Sequence, residues 1–200
     1  VYQLLLTHNS YVGYSMCSLM AKNGYFSWVL AIPIYIIYHL KYSPSDLGLG
    51  MLVVSSASIF LGGLSNSILS YRLSIDTVLI AAWCFLLMTS FAPLLLFHWY
   101  GFQALWLYTM MGMYFFGATM LWPNLYMKAF TPFQHLSGEA GSLYGLAQTS
   151  GAFFSALLIG ATTESNPYGL CVILISVNVL SFVIYYLVIA PHQQQVQVHT

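Results

Sequence analysis

The residue of this chain that could most readily do chemistry is Lys22, because of where it stands. It lies about 11 residues into an apolar stretch that opens near Tyr11, roughly 16 Å from its start at 1.5 Å per helical residue. If that stretch crosses a bilayer, its ammonium sits near the midplane, at a cost of about 2.5–3.5 kcal/mol on insertion scales. Asn23 and Gly24 follow directly. Asn brings more polarity into the same turn and Gly weakens a helix by roughly 1 kcal/mol, so the triplet predicts a locally loosened helix facing a polar cavity. Lys22 could be structural, paired with carbonyls or snorkelling, or it could meet a ligand. Asp46, Asp76, Glu139 and Glu164 all fall at predicted helix ends, so none reaches Lys22 at its own depth. Its counter-charge then lies on a part of the protein outside this sequence or on a bound anion, or the amine is neutral.

Other side chains could share such a cavity. Gln148 stands inside a later apolar stretch, where its amide can serve a ligand or a neighbouring helix. Tyr14, Tyr25, Tyr35, Tyr38, Tyr114, Tyr126 and Tyr144 fall in or at the ends of apolar stretches, and an aromatic lining suits bulky amphipathic ligands. Packing or an interfacial belt is the alternative for each of them. Gly138, Gly141, Gly145, Ala152, Ala156 and Gly160 recur largely at three- and four-residue intervals, which predicts a face for close helix approach or for sliding. Glu139 could titrate in proton coupling, or favour a helix N-terminus.

These residues need a scaffold, and the composition says what solvent it occupies. Hydrophobic residues make up 60% of the 200 and charged ones 4%, against about 25% charged in a soluble domain. Long segments have nothing to put into water, so their solvent is lipid. With zero net charge and no basic run, nothing neutralises a nucleic-acid backbone. Cys17, Cys84 and Cys171 are odd in number, far apart and embedded in apolar segments, which gives neither a disulfide framework nor a metal site. No nucleophile elbow, paired His or phosphate-cradling loop stands in the sequence, so no enzyme, cofactor or metal is expected.

A bilayer core of about 30 Å needs about 20 apolar residues per helix, and the breakers fall at that spacing. Six spans result: about 11–39, 47–71, 75–97, 102–129, 136–162 and 169–190, with a polar tail over 192–200. Ser45 is the expected N-cap of the second span after Pro44, and Thr131-Pro132-Phe133-Gln134-His135 a polar turn. Apolar runs such as Trp28–Ile32 lack the alternation of barrel strands. The expected fold is an all-α six-transmembrane-helix bundle. Loops after even-numbered spans hold Arg72 and Lys128 against Lys41 alone after odd ones, which places those loops and both termini in the cytoplasm. The start at Val1, without a signal-peptide pattern, reads as part of a longer polypeptide.

Three stretches resemble the second half of a major facilitator superfamily transporter, in particular the bicyclomycin and chloramphenicol resistance (Bcr/CflA) branch of drug–proton antiporters. They are Ser27 to Met51, with its Tyr42-Ser43-Pro44-Ser45-Asp46-Leu47-Gly48 turn; Gly62-Gly63-Leu64 to Arg72, similar to a degenerate loop motif that keeps Gly63 and Arg72; and Leu121-Trp122-Pro123-Asn124 through Ala129-Phe130-Thr131-Pro132-Phe133 to Gly138-Glu139-Ala140-Gly141-Ser142. The resemblance departs at Lys22-Asn23, where small apolar residues are usual. It implies that the six spans are family helices seven to twelve, with a missing six-helix half and alternating access at a midplane site. The first, second, fourth and fifth spans would face the cavity, with Lys22, Asn23, Tyr25, Asn66, Asn124 and Gln148 as substrate-binding candidates and Gly141 and Gly145 beside Gly63 and Arg72 as conformational ones. The third and sixth would be lipid-facing support. The expected function is secondary-active, proton-coupled efflux of small organic molecules across a bacterial inner membrane. A nutrient importer, or a non-transporting membrane subunit or sensor, is the alternative.

Overall fold

A computed structural model describes residues 1–162 and 168–189. The short α1 (Tyr2–Thr7) leads into α2 (Asn9–Pro33), which runs on as a π-helix over Ile34–His39. Then follow α3 (Pro44–Arg72), α4 (Ile75–Tyr100), α5 (Ala104–Phe130), a 3-10 segment over Thr131–Leu136, α6 (Ser137–Thr162) and α7 (Gly169–Ile184), which continues as a π-helix over Tyr185–Ile189. No strand occurs among the described residues. The predicted turn at Glu164-Ser165-Asn166-Pro167 and the predicted tail over 192–200 lie outside them.

Four helical stretches are long and apolar enough to cross a membrane, consistent with an integral membrane protein. They are Pro44–Arg72, Ile75–Tyr100, the Ala104–Thr162 stretch that holds α5 and α6, and Gly169–Val188. Helix α2 has the length but not the apolarity, because Asn9, Ser10, Ser15, Ser18, Lys22, Asn23 and Ser27 interrupt it.

Local chemistry sets the helix ends. Ser43, not Ser45, caps α3: its Oγ accepts the Asp46 N–H at 3.2 Å and donates to Asp46 Oδ2 at 2.7 Å, with Pro44 in the first turn. Pro44 needs no N–H there and its ring already holds helical φ, so the helix starts three residues before the predicted Leu47. Gly101 takes φ of 72° and stops α4 at Tyr100. The expected polar turn after α5 is instead helical, kinked at Phe133, whose ring is buried against His8 and Tyr11 at centroid distances of 5.0 and 5.6 Å.

Residue pairings fix the directions of the helices. Tyr11, Ser18 and Asn23 of α2 meet Ala140, Gln148 and Ser155 of α6 in the same order, so these two run parallel. Gly50, Gly62 and Asn66 of α3 meet Tyr108, Phe116 and Asn124 of α5, again in parallel. The order reverses between α4 and α7, where Trp83 meets Ser181 and Ser90 meets Asn178. It reverses also between α2 and α5, where Tyr11 meets Phe130 and Tyr25 meets Phe115. Consecutive long helices therefore alternate in direction. Helix α2 is the hub, packed by α5, α6 and α7, while α3 leans on α5 alone for most of its length.

Two close seams hold the bundle. Along α3, Gly50, Val54, Ser58, Gly62 and Asn66 recur every fourth residue and face Tyr108, Gly112, Phe116 and Asn124 of α5. A Cβ at Gly62 would come within 2.7 Å of the Phe116 carbonyl. Between α2 and α6 the close approach is at Gly151, where a Cβ would come within 2.6 Å of the Leu19 carbonyl. The glycines of the stripe expected to admit a close helix or a sliding partner meet no helix closely among the described residues. A Cβ at Gly138, Gly145 or Gly160 would meet nothing within 4 Å, and one at Gly141 would reach only Phe130 Cε1 at 3.9 Å. The stripe lies to one side of the buried face that Ala140, Tyr144, Gly151, Ser155 and Ile159 turn inward.

Candidate functional site

The site is built on the helix that sequence analysis expects to be loosened at Lys22, and that expectation is corrected: α2 is regular α-helix from Asn9 to Pro33. Gly24 has another purpose. A Cβ there would overlap the Tyr114 hydroxyl, so the missing side chain lets Tyr114 of α5 reach across. That hydroxyl lies 3.1 Å from Asn178 Nδ2, which also donates to Ser90 Oγ at 3.0 Å and to the Leu174 carbonyl at 2.9 Å. A neighbouring set joins Trp83 Nε1 to Ser181 Oγ at 3.0 Å and Ser181 to the Cys17 carbonyl at 3.4 Å. Helices α4 and α7, expected as lipid-facing support, thus supply the interior with polar groups that satisfy one another.

Lys22 has no such partners. It is half-buried, and among the described residues it makes no hydrogen bond and no ion pair; the Lys128–Asp76 pair, at 2.8 Å, joins the ends of α5 and α4. Its Nζ stands 3.6 Å from the centroid of Trp122 and 5.6 Å from that of Tyr25. The Tyr25 ring in turn lies 4.3 Å from Phe115, 5.2 Å from Trp122 and 5.4 Å from Phe26. Phe115 and Trp122 are seven residues apart, two turns of α5, and so form one aromatic face toward α2. An ammonium over an indole gains about 0.5–2 kcal/mol, depending on desolvation, whereas a hydrogen bond to a charged group is worth about 1.5–3 kcal/mol. The ring holds the charge more weakly than an anion would. The indole Nε1 is itself buried and has no hydrogen-bond partner among the described residues.

The remaining candidates fall elsewhere. Asn23 is buried, and its carbonyl and Oδ1 accept from Ser155 Oγ at 2.7 and 3.1 Å, so it ties α2 to α6. Gln148 donates to Ser18 Oγ at 2.8 Å, one helical turn from Lys22 on α2. Asn124 Nδ2 donates to Asn66 Oδ1 at 2.6 Å, which brings those two together across the α3–α5 seam. Two positions on a helix are about 200° apart, so Asn124 points away from the face that Trp122 turns to Lys22. Gly63 touches nothing that a Cβ would meet, its neighbour Gly62 making the close approach, and Arg72 is exposed at the end of α3. The structure therefore groups Lys22 and Tyr25 with Trp122, Phe115 and Phe26, and leaves Asn66, Asn124 and the glycines apart from them.

Sequence reasoning missed Trp122 as a partner for Lys22, naming it only within the Leu121-Trp122-Pro123-Asn124 stretch. The two-turn spacing from Phe115 was the available signal. No family model, curated protein or solved structure matches the chain. The likeness to drug–proton antiporters thus rests on the three stretches that carry it.

Proposed function

We propose that this chain forms one wall of the substrate site of a secondary-active membrane transporter, an exporter of small organic molecules coupled to protons. The observation that carries the reading is Lys22: a cation half-buried in the most enclosed helix, without an acidic partner among the described residues and resting on Trp122. Charged groups inside a membrane domain face interiors or cavities and mark substrate or ion pathways. The alternating helix directions and the six long helices among the described residues support a bundle of the facilitator type, whose other, N-terminal half would complete the site. The parallel course of α3 and α5 sets Arg72 and Lys128 at one end and Lys41 at the other, which supports a cytoplasmic placement of the first end.

Transport by the full-length protein in cells tests this. Lys22→Gln is expected to lower substrate export at least tenfold at an unchanged amount of protein in the membrane. Undiminished export of every substrate by Lys22→Gln and Lys22→Ala would remove Lys22 from the mechanism. Depletion of substrate from cells marks an exporter, and accumulation an importer.

A further inference from the structure

We infer that the Lys22 site takes a planar aromatic anion, and that the ammonium rests on the Trp122 face until the anion draws it off. The inference deepens the transport reading and rests on it for the site's being a ligand site. An ammonium carries three directional N–H donors, and an aromatic face answers its charge without accepting those donors in line. Lys22 therefore keeps open donors at the position where Nζ stands 3.6 Å from the indole centroid. The same indole has a second open donor, since Trp122 Nε1 is buried with no hydrogen-bond partner among the described residues. Two unanswered donors at one ring call for an acceptor with more than one oxygen and a negative charge, as in a carboxylate or sulfonate.

The walls define the rest of the ligand. Tyr25 lies 5.2 Å from the indole by ring centroids and is itself 5.4 Å from Phe26 and 4.3 Å from the buried Phe115, so a flat apolar body beside the ammonium meets the half-buried rings of Tyr25 and Phe26. Of the nearby amides, Gln148 Nε2 already donates to Ser18, and Asn23 is buried with its Oδ1 turned to Ser155 of α6. Recognition then rests on charge and flatness rather than on a pattern of hydrogen bonds, which favours a range of aromatic anions over a single one. A cation is disfavoured, because the indole face that would attract it already holds Lys22. The lysine stem packs beside Gly151, where a Cβ would lie 3.4 Å from Lys22 Cβ, so the base of the side chain is fixed and the ammonium end is what can move.

Calorimetric titration of the purified full-length protein in lipid nanodiscs with 2-naphthoate, its neutral amide 2-naphthamide, and the cation 2-naphthylmethylammonium tests this. The expected order is naphthoate at least tenfold tighter than the amide, with the cation weakest. Lys22→Gln should abolish that preference and Lys22→Arg should keep most of it, both checked for the wild-type melting profile. Equal affinity for naphthoate and the amide, tighter binding of the cation, no binding of naphthoate, or an anion preference that survives Lys22→Gln in a folded protein would each overturn the inference. Lys22-dependent naphthoate binding without flux in vesicles would sustain this inference and remove the transport reading. Flux of uncharged compounds without naphthoate binding would do the reverse.

Discussion

Helix α2 carries a lysine, two asparagines and a series of serines, yet it is the most enclosed helix of the bundle; α3, with a mean hydropathy of 1.9 over its most apolar window, has only 6% of that window buried. In water the burial would be the other way round. In lipid an apolar surface gains nothing by leaving the solvent, so helices associate through close packing and interhelical hydrogen bonds, and polar residues are drawn inward. The contrast teaches that along this chain polarity marks the centre and apolarity the rim. Lys22 fits the rule in its placement and breaks it in having no acceptor among the described residues.

If α2 is the hub, disturbing its seams must cost more than disturbing that of α3. Gly151→Leu sets a side chain against the Leu19 carbonyl, which cannot yield without moving the helix, and is expected to destabilise the fold by about 3 kcal/mol in equilibrium unfolding of the detergent-solubilised protein. A smaller effect would mean that α2 and α6 slide readily. Asn178→Leu, which strips Ser90 and Tyr114 of a shared partner, is expected to cost about 1–2 kcal/mol in the same measurement. The α3 seam offers the sharpest contrast at the smallest scale. Gly62→Ala should destabilise by about 1 kcal/mol, through contact with Phe116, whereas Gly63→Ala should stabilise by about 0.5–1 kcal/mol through helix propensity alone. Equal effects at the two positions would show that α3 is not seated on α5 as described.

Much of the scaffold was legible because lipid makes helix ends conspicuous. Pro44, Arg72, Gly101 and Pro132 each lie at or within a few residues of a helix end, and Lys22 stood out as a charge far from any end. What escaped was pairing across long separations. Gly24 read as a loosening element because its partner, Tyr114, lies 90 residues on; the structure shows the glycine clearing room for that ring. The stripe from Gly138 to Gly160 was periodic, and periodicity tells that residues share a face without telling what the face meets. Gly50, Gly62, Gly112, Gly117 and Gly151 are among the glycines that make tight approaches, and nothing local distinguishes them from Gly63 or Gly145. Asn66 and Asn124 were singled out separately and prove to bond to each other.

The distance along the chain from α2 to its partners has a consequence for how the protein is made. The hydroxyl that satisfies Asn23 belongs to Ser155, 132 residues downstream, whereas the amide that meets α3 at Asn66 is 58 residues away. At about 5–20 residues per second of synthesis, α2 leaves the ribosome roughly 7–26 s before α6 does. During that interval Asn23 lacks the Ser155 hydroxyl and has earlier helices, lipid, headgroups or the insertion machinery to lean on, while α3 is apolar enough for the bilayer from the start. Biogenesis, rather than the finished fold, is where the polarity of α2 is most exposed to failure.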